Sequence, residues 1–288
     1  MSFVYLILAI LPIVSGILIK ILFVPATEGI TVTGAHIFFN IDLPLGGLPI
    51  TESQVNSWLV ILSIFFFCLF LTSDLKTKNI SKRQVVAEWI VESVEKLVRS
   101  NMGDFFMGFA PFITAILGIS AMSSLMTLFG LFPATSDINV VAGWAILVFI
   151  LITYYKLKAG PLVYLKGFTE PIAFFAPINV ASEFATPFSM SFRHYGNVLS
   201  GTIISILIAT GLGGLSKFAL QWLPEPFASF ELFRIGIPAI FSIYFDIFSG
   251  CLQAFIFAML TMLYVSGGFP ADEYFKRKAK KKAKQLSK

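Results

Sequence analysis

The segment Pro187-Phe-Ser-Met-Ser-Phe-Arg193-His-Tyr-Gly-Asn197-Val-Leu-Ser-Gly201 places one arginine inside a stretch that otherwise reads as membrane-buried. No acidic residue lies within nine positions of Arg193. An ionised side chain at bilayer depth costs at least about 2.5–3.5 kcal/mol on insertion scales, so it marks a substrate or ion path, a proton relay or a fixed counter-charge. Around it Ser189, Gly196, Asn197, Ser200 and Gly201 recur at three- and four-residue steps, a small and polar stripe suited to close helix packing. Ser242, Asp246, Ser249, Gly250 and Gln253 form a matching stripe on the last apolar segment, and α-helical phasing places Asp246 and Gln253 on one side about two turns apart. An arginine on one helix, with an aspartate and a glutamine on its neighbour, describes a polar lining through a membrane.

The same residues fit plainer roles. Arg193 could be a structural arginine paired with Asp246 or with backbone carbonyls. Gln253 and Asn197 could be ordinary interhelical hydrogen-bonding residues, and His194 fits a packing or interface residue better than a proton carrier. Glu183, near the start of the long helix, is either an exposed helix-start carboxylate or a port for ions.

The elements that must position these residues follow from composition. A chain that is 57% hydrophobic and 13% charged, with 32 phenylalanines, has more apolar surface than a water-soluble core of 288 residues can hide. Crossing roughly 30 Å of hydrocarbon takes about 20 helical residues. The runs that qualify are Phe3 to Phe23, Val55 to Thr72, Phe105 to Phe132, Val140 to Tyr155, Ala181 to Leu212 and Leu232 to Val265. The first is a retained span or a cleaved signal; the lack of Lys or Arg ahead of it and of a small-x-small cleavage site favours retention. Val24 to Asn56 is expected to be a short extracytoplasmic loop with His36 at its surface. The last two segments, at roughly 48 and 51 Å, exceed the bilayer, which predicts steep tilt or burial against a protein partner.

Lys76, Lys78, Lys82, Arg83, Lys96 and Arg99 follow the second span, Lys156, Lys158 and Lys166 the fourth, and a lysine-rich tail the sixth. Those loops are expected to be cytoplasmic, and the 133–139 turn and the Gly213 to Phe230 connection to face outward. Within residues 80–104, Val86, Trp89, Ile90, Val94, Leu97 and Val98 fall at helical spacing opposite Glu88, Glu92, Glu95, Lys96 and Arg99. That pattern predicts an amphipathic helix on the membrane surface or, alternatively, a coiled-coil partner helix. The fold class is therefore an all-α integral membrane protein: transmembrane helices, an amphipathic surface helix and two long, strongly tilted C-terminal helices. Its organisation is a hydrophobic segment and loop over 1–54, a membrane domain over 55–268 and a basic cytoplasmic tail over 269–288. After a membrane span such a tail marks sidedness rather than nucleic-acid binding. Cys68 and Cys251 lie in apolar runs, with no Cys/His cluster to hold a metal.

Pro187-Phe-Ser189-Met-Ser-Phe-Arg193-His-Tyr-Gly196-Asn197-x-x-Ser-Gly201 resembles the signature of subunit a of the F-type ATP synthase membrane sector, P-x-S-x-x-x-R-x-x-G-N-x-x-[AS]-G. Leu252-Gln253-Ala254-Phe255-Ile256-Phe257-x-x-Leu260-Thr261 resembles its closing motif, and Pro133-Ala-Thr-Ser-Asp137-Ile-Asn139-Val140 its outer turn. The likeness runs from about Val55 to Gly268 and omits the N-terminal span and the lysine-rich tail. It implies a non-catalytic stator beside a rotating ring of c subunits, each with an ion-carrying carboxylate, and b-type peripheral stalk subunits as further partners. Two half-channels would end near that carboxylate's track with Arg193 between them. By the resemblance, Arg193 is the essential arginine, and Asp246, Gln253, Asn197, Glu183, Asp137 and Ser189 belong to the ion path. No cofactor is implied. The implied location is a bacterial inner membrane with a cytoplasmic C-terminus. One departure concerns Thr202, where many members carry a glutamate; Asp246 would replace that acid from the facing helix. The ion is expected to be the proton, with sodium the alternative.

Two other classes compete. A secondary transporter or channel could use the same mid-membrane Arg/Asp/Gln site, but internal repeats and Gly/Pro-broken helices in both halves are missing. A membrane enzyme would need a nucleophile or metal constellation, and neither HExxH nor GxSxG occurs. With no Gly-rich phosphate loop, ATP must be handled by other subunits.

Overall fold

The computed structural model describes residues 2–24, 34–42, 47–78, 80–169, 172–224, 230–234, 236, 240–241, 243–269 and 274–275. The tail over 276–288, Ser242 and the Asp246 side chain lie outside the described residues. Among the described residues, six helices are long and apolar enough to cross a membrane. The chain divides into two compact units: Met1–Ala87, Leu117–Val141 and Arg193–Phe255 in one, Glu88–Ile116, Ala142–Phe192 and Ile256–Lys288 in the other.

In the first unit, α1 (Ser2–Phe23) packs along α2 (Glu52–Thr72). Apolar residues surround both helices, but their mutual face is tied by polar groups: the Ser63 hydroxyl donates to the Ala9 carbonyl at 2.6 Å within the buried seam. A methyl group on Gly16 would approach Leu59 Cδ1 to 3.0 Å, so its absence permits the close crossing. Val60, Met126 and Leu131 form the core beneath Ile13, Ile17, Ile64 and Met122. Lys20, the basic residue of α1, donates to the Gly130 carbonyl. The expected outer loop contains a hairpin, β1 (Ile37–Ile41) antiparallel to β2 (Leu48–Thr51), with Phe39 opposite Ile50 and Ile41 opposite Leu48. Its closing residue Thr51 keeps extended dihedrals and starts α2. His36 is half-buried rather than superficial, its ring against Phe38.

The amphipathic segment forms α3 (Lys82–Met102). Its expected apolar face divides: Val94 and Val98 are buried together with Met102, whereas Val86 and Trp89 stay exposed at 46% and 66%. In the second unit, Phe105, Phe106, Tyr155 and Phe269 interlock edge to face, with Phe105 and Phe269 stacked at 5.0 Å. The third span is α4 (Ala110–Leu125), bracketed by 3-10 turns, and the fourth is α5 (Ile138–Ala159). Gly160, at φ 144°, stops α5 where a side chain would be strained, and Pro161 opens the short α6 (Pro161–Phe168).

The fifth segment is longer than the apolar run suggests. Helix α7 (Ala176–Leu220) has 45 residues, roughly 68 Å, and only 11% of its apolar window is buried inside the protein. Lipid or partner subunits must cover the rest. The sixth is shorter: Leu232–Arg234 is a 3-10 turn, Gly236 takes φ 140°, Ile240 and Phe241 are again helical, and a π turn, Ile243–Ser249, leads into α8 (Gly250–Gly267). The 34-residue continuous helix expected from hydropathy is thus interrupted by backbone geometry that the apolar pattern does not encode.

Candidate functional site

Helix α7 presents two faces of opposite character. Pro187, Met190, Ser191, His194 and Gly201 are buried, following the three- and four-residue steps of one side. Ser189, Arg193, Asn197 and Ser200 are exposed on the other, flanked along one edge by Phe188 and Phe192, themselves 64% and 61% exposed. Among the described residues no hydrogen bond or ion pair engages the Arg193 guanidinium. His194, fully buried, reaches Ser120 of α4 through Nε2 at 3.4 Å, so it locks α7 inward and fixes the rotation that turns Arg193 out. Ser120 carried no signal in the sequence, being one hydroxyl in an apolar run.

One turn beyond Arg193, the Asn197 side-chain amide donates to Gln253 Oε1 at 2.6 Å. Gln253 is 2% exposed, so this bond answers the desolvation of a buried amide. The pair forms one wall of a narrow cleft of about 20 Å³, closed by Ser124, Thr127, Thr202, Ser249 and Phe245. That volume admits roughly one water. The Thr202 hydroxyl donates to its own helix at Val198 O, 3.0 Å away. Close approach of α4 and α8 makes this cleft: a methyl on Gly250 would lie 2.5 Å from Ser124 Cβ, nearer than real carbons come.

Asp246 falls inside the π turn. Its side chain lies outside the described residues, and with it the face that Asp246 is expected to share with Gln253.

The second unit brings Glu183 to Lys156. Nζ of Lys156 lies 2.7 and 2.6 Å from the two carboxylate oxygens, and the side chains are only 26% and 14% exposed. The Tyr164 hydroxyl donates to Glu183 Oε1 at 3.4 Å, and its ring lies 5.7 Å from the ammonium. Burial, then the neighbouring Glu183 charge, push the Tyr164 phenol above its ordinary range, so it remains a neutral donor. A cavity of about 310 Å³ opens at this pair, lined also by Asn179, Ser182, Gly167 and Gly268. Of the two sequence readings for Glu183, an exposed helix-start carboxylate does not fit. Lys156 had registered only as a topology charge; its pairing across 27 residues left no local pattern.

Asp137 occupies a different position. Its Oδ1 accepts the Asn139 N–H at 2.9 Å, capping α5, and its Oδ2 accepts the Ser53 hydroxyl at 2.6 Å. These contacts anchor a helix start to α2. The same corner buries Glu52, 6% exposed, which the sequence reading passed over because it sits beside a hydrophobic run. Among the described residues no cluster of three or more His, Cys, Asp or Glu could hold a metal ion.

Apolar helices with mostly uncovered surfaces, a half-buried ion pair and an arginine on the outer face of the longest helix define a multi-pass integral membrane protein. Residues 54–266 match the sequence profile of the family described as ATP synthase A chain, and the chain belongs to that family. It is similar to ATP synthase subunit a of Legionella pneumophila (strain Paris), 25% identical over 241 residues that cover 83% of this chain and 94% of the relative. Subunit a of Priestia megaterium is 31% identical over 243 residues, 78% of this chain and 95% of the relative. The Propionigenium modestum subunit a, described as sodium ion specific, is 30% identical over 250 residues, 79% of this chain and 77% of the relative. The protein is accordingly a membrane-sector subunit of ATP synthase, with the rest of that complex as its partner.

Proposed function

We propose that the subunit is the non-catalytic stator of ion translocation, with the exposed face of α7 turned toward a ring of c subunits and Arg193 between two half-channels. The single observation that carries this reading is the outward Ser189, Arg193, Asn197 and Ser200 stripe on the side of α7 away from its buried Met190, Ser191 and His194. A guanidinium stays charged at any relevant pH and cannot pass on its own proton, while its fork can engage a ring carboxylate through two hydrogen bonds. It would displace the ion from that carboxylate and bar a direct leak between the channels. Gln253 holds Asn197 beside it. Glu183 would serve the inner channel, Asp246 the outer, with Asp137 at the outer turn. The driving force is about 2.3 kcal/mol per charge per 100 mV. In this reading the basic loops and C-terminal tail are cytoplasmic, b-type subunits brace the stator in a bacterial inner membrane, and the ion is the proton; the sodium-specific relative makes sodium the second candidate.

The test is Arg193→Lys in the whole complex reconstituted into vesicles. Ion-driven ATP synthesis should vanish while the complex still assembles and its catalytic sector still hydrolyses ATP. Synthesis at near-parental rate would overturn the assignment.

A further inference from the structure

Resting on the stator reading for its ion path, we propose that Lys156 is a positioning residue that latches Glu183, so that a cation reaching this carboxylate must first displace an ammonium already bound to it. Four observations carry this. Both carboxylate oxygens are occupied by one Nζ, at 2.6 and 2.7 Å. The pair is far more enclosed than Lys76–Asp74, Lys96–Glu92 or Arg99–Asp104, each of whose side chains is more than half exposed. It borders a cavity of about 310 Å³, large enough for several waters, whose titratable lining groups are Lys156, Tyr164 and Glu183. The lysine stem is also confined: a methyl on Gly268 would come within 3.0 Å of Lys156 Cγ and 3.4 Å of Cε.

These features distinguish a latch from a surface ion pair. An exposed pair exchanges freely with water and contributes little. Here the stem passes over a glycine, the ammonium sits beside the Tyr164 ring, and the phenol bonds the same carboxylate oxygen. A swing of the lysine into the cavity it borders would open the carboxylate to the cavity's water. A monovalent cation and the ammonium are then alternatives at one site, and the latch sets how much ion is needed on this side.

The whole complex tests this in two arms. The first uses Ser182→Cys, which lines the cavity, and compares its modification by a cationic and by a neutral methanethiosulfonate. Lys156→Met should raise the cationic-to-neutral rate ratio about fivefold, the shift a partly enclosed unit charge gives. Mere loosening would speed both reagents alike and leave the ratio unchanged, which would overturn the latch. The second arm measures the ion concentration that half-saturates flux from each face of reconstituted vesicles. Lys156→Met should lower it about fivefold on the Glu183 face alone, and the effect should disappear in a Glu183→Gln background. A changed ratio with unchanged half-saturation on both faces would mean that the latch does not gate ions. Should Lys156→Met fail to assemble, Gly268→Ala retains the charge while displacing the stem, and the same two shifts are expected in smaller measure. Parental complex without ion flux would instead count against the stator reading, while the labelling ratio would still report on the latch.

Discussion

At the scale of single residues, the consequential groups are those whose neighbours leave no alternative. Gly250 meets Ser124 so closely that an added methyl has nowhere to go. Gly250→Ala should cost about 1–3 kcal/mol through overpacking, read as a lower thermal midpoint of the purified complex, and Ser124→Gly in the same chain should restore most of the loss. An unchanged midpoint would show that the two helices separate readily. Asn197 matters for a different reason, because its amide answers a buried Gln253. Asn197→Leu should cost about 1–3 kcal/mol for the orphaned amide, whereas Asn197→Leu combined with Gln253→Leu should recover stability without recovering ion flux. Asp137 caps α5, so Asp137→Ala should cost about 1 kcal/mol, with Asp137→Asn milder; flux lost at normal stability in Asp137→Asn would support its place in the proposed ion path.

At the scale of elements, the faces of α7 give a rotational prediction. Cysteines at Ser189, Asn197 and Ser200 should crosslink to ring helices, and cysteines replacing His194 or Met190 on the buried side should not. Efficient crosslinking from Ile203 or Ile206 with none from Asn197 or Ser200 would mean that another side of α7 meets the ring. Hydropathy located the spans because crossing a membrane demands a sustained apolar run, and the small-residue steps around Arg193 disclosed its face because helical phase repeats locally. The same signals failed where backbone geometry or distant pairing decided. Nothing in an apolar run announces the π turn at Ile243–Ser249, and a hairpin of five and four residues is too short to alternate clearly, with Pro49 inside it. Ser120 against His194, Ser124 against Gly250 and Lys156 against Glu183 each join residues far apart in the chain, so one sequence carries no trace of them.

At the scale of the whole molecule, sidedness is the property that most needs a direct measurement. Cysteines at Lys78 and Lys158 should react with an impermeant reagent from one face of the membrane and a cysteine at Ser136 from the opposite face, as the asymmetry of Lys and Arg requires. Lys20 does not contradict that asymmetry, since it is bound to the Gly130 carbonyl at the end of a 3-10 turn, where carbonyl oxygens lack partners of their own. Labelling of all three sites from one face would refute the arrangement.

The length of α7 also sets the depth of each residue in its stripe. Glu183 and Lys217 stand 34 positions apart on it, about 51 Å of helix for about 30 Å of hydrocarbon. If those charges rest at the two interfaces, each residue advances about 0.9 Å in depth and about 1.2 Å sideways. From Ser189 to Ser200 the helix then descends about 10 Å and travels about 13 Å along the membrane plane. A ring carboxylate carried past at the depth of Arg193 would come level with that residue alone, Ser189 and Asn197 each lying about 3.5 Å and Ser200 about 6 Å from its plane. Spin labels at Ser189 and Ser200 should differ in membrane depth by about 10 Å, against about 16 Å for an upright helix.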